Sequence, residues 1–199
     1  MGMILVITTL RDENIARVLA DPPLIWSVLA PDDPERVTRS RASSRGLFAR
    51  LFGRSSGASE HVPLELADGE VQETDLDKAW HGIHYMLTGS DWKGDLPLGF
   101  LLGGGETVGK TDRGYGPARV LTSDQVRAVA RALEPVDEAY LRARFNPAEM
   151  MKLGIYPAIW DRDPADDDTF DYCAHFFASL KTFVTDAAQR GVGLVVSLS

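Results

Sequence analysis

Two apolar runs stand near the two ends of the chain, residues 3–9 and residues 194–198, and most of the length between them carries apolar positions at helical spacing. The first run is β-branched and apolar throughout, a pattern that predicts a strand covered on both faces rather than an alternating, half-exposed one. A helix follows over residues 12–19, with Ile15, Val18 and Leu19 on one side and Asp12 placed to cap it. Pro22-Pro23 ends that helix and opens a second short one carrying Leu24, Ile25, Trp26 and Leu29. Further along, Thr74 and Asp77 form a capping-box-like start to a helix that Gly89 closes as a C-terminal cap. Residues 98–102 read as a short strand or a helical turn. Residues 118–121 read as a strand, and Thr122 or Ser123 caps a helix over 124–133. Helices over 136–145 and 169–189 come next, and Gly191 and Gly193 frame a turn into the last strand. Strands at both ends with helices between them predict an α/β, helix-rich single domain over residues 1–199, built on a small mixed sheet flanked by helices.

Composition changes this picture in one place. Arg36, Arg39, Arg41, Arg45, Arg50 and Arg54 occur with no acidic residue among them, amid Ser and Gly, which marks residues 32–61 as an Arg-rich insertion expected to be mobile. Leu47-Phe48 and Leu51-Phe52 lie four apart inside it, enough for one turn of a basic amphipathic helix but a weak anchor. Over its full 199 residues the chain is 44% hydrophobic and 25% charged, ordinary for a globular chain that folds without a disulfide or structural metal. The formal net charge of −8 argues against nucleic acid and anionic membrane as partners. No run approaches a membrane span, the apolar start lacks the basic n-region of a signal peptide, and a single cysteine, Cys173, suits a reducing compartment. A cytoplasmic location is the expectation.

The densest chemistry lies in LDKAWHGIHYMLTG, residues 76–89. Helical geometry puts Leu76, Trp80, Ile83 and Leu87 on one apolar stripe, so Trp80 reads as a core anchor before a ligand-stacking group. Lys78, His81 and Tyr85 fall on a neighbouring face, with His84 at the edge of the stripe. His81 and His84 are three apart and could share a metal, but no further spaced His, Cys or Glu ligand accompanies them, so no metal is expected. As an acid–base group His81 would have Asp91 or Asp75 as its orienting carboxylate. The competing reading is that both histidines bond loop carbonyls and lock the helix in place.

Other motifs weaken on inspection. GGETVGKT, residues 104–111, matches the phosphate-loop pattern, yet residues 112–117 are helix-breaking where that loop needs a helix. The acidic run Asp161, Asp163, Asp166, Asp167, Asp168 and Asp171 lacks the glycine and closing glutamate of a calcium loop and contains Pro164; Asp167 or Asp168 fits better as a cap for the last helix. Cys173 has no CxxC partner, and no serine or cysteine sits in a nucleophile motif. Tyr115, Tyr156 and Trp160 fall in Gly- and Pro-rich connections, where aromatics serve binding surfaces or plug core edges.

The Met1-Gly2-Met3 start, LDKAWHGIHYMLTG, GYGPARVLT at residues 114–122, Ile155-Tyr156-Pro157 with Trp160, and the closing helix and strand together resemble the YfbM-like bacterial family, a domain of unknown function. The resemblance spans nearly the whole chain except the Arg-rich stretch. It implies a compact α/β fold and brings no established activity, cofactor or catalytic residue. From the residues themselves, the first expectation is a binding or interaction protein, of accessory or immunity type, that acts without catalysis or cofactor on a protein partner. The alternative is a small-molecule enzyme or sensor with its pocket around His81. There His81 would transfer protons, Lys78 would hold an anion, and Tyr85, Asp91 and Tyr115 would add polar contacts. The expected ligand or partner surface comprises His84, Tyr85, Tyr115, Tyr156 and Trp160.

Overall fold

The computed structural model describes residues 2–45, 63–112, 114–166 and 168–199. Strands β1 (Leu5–Leu10), β2 (Glu73–Asp75), β3 (Glu106–Asp112), β4 (Pro117–Leu121) and β5 (Gly193–Leu198) form one sheet in the order β2-β1-β5-β4-β3. The two apolar runs are therefore central neighbours, with Ile7 opposite Val196. Every adjacent pair is antiparallel, where the sequence suggested a mixed sheet. Strands β3 and β4 are joined by a short hairpin, a connection that only antiparallel pairing permits.

Helices cover both faces of the sheet. On one face Leu5, Ile7, Leu121, Leu194 and Val196 pack against α4 (Trp80–Thr88), α5 (Ser123–Leu133) and the 22-residue α8 (Thr169–Arg190). On the other, Leu10, Val108, Val120 and Val195 meet α1 (Asp12–Ala20), a 3-10 turn (Pro22–Ile25) and α2 (Trp26–Leu29). This explains the unbroken apolar reading of β1 and β5: alternate side chains enter two different cores. Helices α3 (Glu35–Arg45), α6 (Glu138–Arg142) and α7 (Pro147–Lys152) complete the domain.

Local signals set several boundaries as read. Thr122 caps α5 in a full capping box with Gln125, Asp168 accepts from the amides of Phe170 and Asp171 to start α8, and Gly89 and Gly191 close α4 and α8 in left-handed conformation. Asp12 is not the cap of α1. Its carboxylate instead accepts from the Ser123 amide at 2.8 Å and the Ser123 hydroxyl at 2.7 Å, fastening the start of α5 to α1. Helix α4 begins at Trp80 rather than at residue 74, because residues 73–75 are drawn into the sheet as β2 and Asp75 accepts from the Asp77 amide in the turn between. Helix α6 stops at Arg142, short of the expected residue 145, and Asn146 caps a separate α7. The phosphate-loop-like run lies largely in strand β3, with Gly109 at φ +55 packed toward Pro22.

The Arg-rich stretch begins as α3. There Arg36 stacks on the Trp26 ring at 3.7 Å, Arg39 pairs with Asp33 and Glu35, and Arg41 pairs with Asp21. The Leu47-Phe48 and Leu51-Phe52 turn lies outside the described residues.

Candidate functional site

The segment singled out by sequence forms the centre of the larger core. From Trp80 to Leu87 every residue of α4 is buried, so the helix has no polar face to present. Trp80 donates its indole N–H to the Met3 carbonyl at 3.1 Å, and the Met3 amide donates to the Tyr156 hydroxyl at 3.1 Å. Start of chain, α4 and the 155–160 turn are thereby tied into one cluster.

His81 is fully buried and stacks on Trp80, with centroids 4.7 Å apart and planes 4° from parallel. Trp92 covers it from outside at 4.6 Å and is itself 53% exposed. The Tyr156 amide donates to His81 Nδ1 at 3.0 Å, so Nδ1 must be unprotonated; Nε2 therefore carries the hydrogen and donates to the Asp91 carbonyl at 2.9 Å. Burial lowers the pKa of this imidazole, which the geometry holds neutral in one tautomer. Both nitrogens are committed to backbone. Asp91 meets His81 through its carbonyl, not its carboxylate, which instead accepts from the Trp92 amide at 2.7 Å and is lowered in pKa chiefly by that bond. Asp75 instead accepts from the Asp77 amide at 2.9 Å.

His84 is equally buried. Its Nε2–H donates to the Lys93 carbonyl at 3.1 Å, while Nδ1 has no hydrogen-bond partner among the described residues. Burial is the main reason its pKa is pushed down to about 4. The carbonyls these two histidines hold, those of Asp91 and Lys93, belong to the loop after α4. Three glycines fold that loop tightly: a Cβ at Gly99 would lie 2.3 Å from the Gly94 carbonyl carbon, and one at Gly103 would lie 2.0 Å from the Gly94 oxygen.

The remaining candidates do not converge on an open cleft. Tyr85 is buried and donates to Glu149 at 2.8 Å; burial, then that bond, pushes its pKa up to about 12. Trp160 is 1% exposed and donates to the Ile155 carbonyl at 2.7 Å. Tyr156 is half-buried, engaged at both its amide and its hydroxyl, and its bond to Pro157 is cis. Lys78 is exposed, and its amide donates to the Tyr172 hydroxyl. Tyr115 is exposed at the tip of the β3–β4 hairpin, separate from the histidines. Of the expected surface residues, His84, Tyr85 and Trp160 are thus interior. Among the described residues no three His, Cys, Asp or Glu side chains are grouped to hold a metal ion.

The domain-of-unknown-function model DUF1877 matches residues 1–197. The chain belongs to the DUF1877 family. It is similar in fold to YfbM from Escherichia coli, a protein of unknown function, with a TM-score of 0.62 over 98% of this chain and 99% of that one at 16% identity. No curated protein matches the chain. The blocks by which it resembles the DUF1877 family meet in space: the residues after Met1-Gly2, helix α4 and the 155–160 turn are the three parts of the His81 cluster.

The fourth block contributes a residue that sequence reasoning passed over. Arg119 on β4 donates to the carbonyls of Phe100, Leu101, Gly103 and Gly104, at 2.6–3.2 Å, and so fixes the far end of the same loop. Burial lowers its pKa to about 10, which leaves it charged at neutral pH. Its only sequence signal was a lone basic residue within an otherwise apolar strand. Among the described residues, no helix is long and apolar enough to cross a membrane.

Proposed function

We propose that this DUF1877 protein works by binding a macromolecular partner through its outer surface, in the cytoplasm, and that the LDKAWHG segment is internal scaffolding rather than a reaction centre. The observation that carries this reading is the commitment of both His81 nitrogens to backbone groups beneath an aromatic cover. A general base needs a free lone pair within reach of its substrate, and the Nδ1 lone pair is already occupied by the Tyr156 amide. The exposed Trp92 and Tyr115 supply rigid, amphipathic contact area of the kind that anchors protein interfaces. The buried lone Cys173 is compatible with a reducing compartment.

The test pairs two measurements on the full chain. Crosslinked co-purification from the native host should retain a stoichiometric partner. A thermal-shift screen against a metabolite panel should find no compound whose stabilisation depends on His81. A metabolite that raises the Tm of the wild type but not of His81→Asn overturns the proposal, as does co-purification that repeatedly retains no stoichiometric partner.

A further inference from the structure

Among the described residues, the ladder between β1 and β2 leaves one edge of the sheet open. The Thr9 amide donates to the Gln72 carbonyl, the Leu76 amide donates to the Leu5 carbonyl, and Ile7 stands opposite Thr74 between them. Odd-numbered residues of β1 therefore bond to β2, and even-numbered ones bond to β5, as the Ile4–Ser199 pair confirms. On β2 the same phase turns the N–H and C=O groups of Glu73 and Asp75 outward, away from β1. Those groups have no partner among the described residues.

Beside this edge runs a groove of about 650 Å³, bounded by residues 72–74 and by one stripe of α8. The stripe runs from His175 through Ala178, Thr182 and Phe183 to Asp186. The 11 residue steps from His175 to Asp186 correspond to about 16 Å of helix, room for about five residues of extended chain. Thr74 shares the face of Ile7, toward α8, while Glu73 and Asp75 project to the opposite face and are exposed. Neither carboxylate forms an ion pair with a described residue. A second copy of this chain paired antiparallel along β2 would set acidic side chains against acidic ones, which disfavours self-association there. A cationic strand is favoured by the same charges.

We propose that the β2 edge accepts an extended basic segment of a partner protein as a sixth strand, with Lys or Arg at the positions facing Glu73 and Asp75 and an apolar residue between them directed at Phe183. This deepens the binding reading above and rests on it. Main-chain bonds to residues 73 and 75 would supply affinity, and the period-2 alternation would supply selectivity.

The probe is a labelled seven-residue peptide alternating Lys and Val, with a Glu-Val peptide as control, read by fluorescence anisotropy on the full chain. Saturable binding of the Lys-Val peptide is expected, weakening with salt and absent for the control. Glu73→Pro removes an outward N–H without touching the ladder to β1 and should weaken binding about tenfold. The paired Glu73→Gln and Asp75→Asn substitution keeps the backbone intact, should weaken binding similarly, and serves if the proline variant fails to fold. Amide exchange at residues 73 and 75 should slow on binding. Absent peptide binding, equal binding of the acidic peptide, an affinity unchanged by both variants, or a dimer of this chain that seals the edge would each overturn the proposal. The partner reading is judged separately: a co-purified partner that the β2 variants retain undiminished refutes the edge while leaving that reading intact.

Discussion

His84 offers the sharpest quantitative consequence of this architecture. Its imidazole is fully buried, gives one hydrogen bond to the Lys93 carbonyl, and has Nδ1 facing no acceptor or donor among the described residues. Protonation would place a charge in a desolvated site where the Lys93 carbonyl and the Asp91 charge offset the cost only in part, which is why the pKa falls to about 4 from an ordinary 6.5. Between those values the unfolded chain binds a proton that the native chain refuses. Stability must therefore rise with pH across that window and fall as the solution is acidified from about 6.5 toward 4. The full separation corresponds to about 3.4 kcal/mol, of which about 2 kcal/mol is already lost at pH 5.

The substitution that isolates this contribution is His84→Gln. The glutamine amide can reach the Lys93 carbonyl in place of Nε2–H, so the donor is kept while the titration is removed. Urea unfolding of both proteins near pH 7 and near pH 5 gives four free energies. The wild type should lose about 2 kcal/mol more than the variant on acidification. Contributions from His81 and Glu70, whose pKa values are also lowered, act in the same direction in both proteins and cancel in the difference. Equal losses in wild type and variant would refute the reasoning, since they would mean that His84 titrates normally in the native state.

Two further predictions concern the same core. Gly82→Ala should lower the Tm despite the better helix propensity of alanine, because its Cβ would lie 2.5 Å from Trp160 and 2.9 Å from Cys173; a crowding cost of about 1–3 kcal/mol exceeds a helical gain of about 1 kcal/mol. A stabilised Gly82→Ala protein would show that α4 and the 155–160 turn are less tightly packed than described. Cys173, buried with its thiol pushed up to about 12, should resist Ellman's reagent in the native protein and react fully in denaturant; rapid native labelling would contradict its burial.

How much of this was legible in the sequence follows from the range of the interactions involved. Thr122 with Gln125, Asp168 with the amides of residues 170 and 171, and Gly191 after Arg190 act within a few residues, and each element they bound was readable. Strand β2 is three residues long and polar, and only the register of β1 makes it a strand. Asp12 carried a capping signature, but its carboxylate serves a helix 111 residues away, an assignment no local pattern contains. Strand β3 was hidden because Gly109 and its neighbours imitate a phosphate loop, where the glycine instead permits close approach to Pro22.

The histidines show the same limit and also explain the chemical density of residues 76–89. A segment with a Trp, two His and a Tyr in ten residues looks reactive because those residues carry polar atoms on large apolar bodies. That combination is equally what an interior helix needs when it must hold a glycine-folded loop on one side and the chain start and a distant turn on the other. Trp80 reaches Met3, His81 reaches both Asp91 and Tyr156, His84 reaches Lys93, and Tyr85 reaches Glu149. Leucines at those positions would fill the space and leave each partner group unsatisfied, at about 1–3 kcal/mol apiece where it is buried. The helix is chemically rich because it is the place where four separate stretches of chain are tied together, and that work consumes the donors and acceptors a reaction would require.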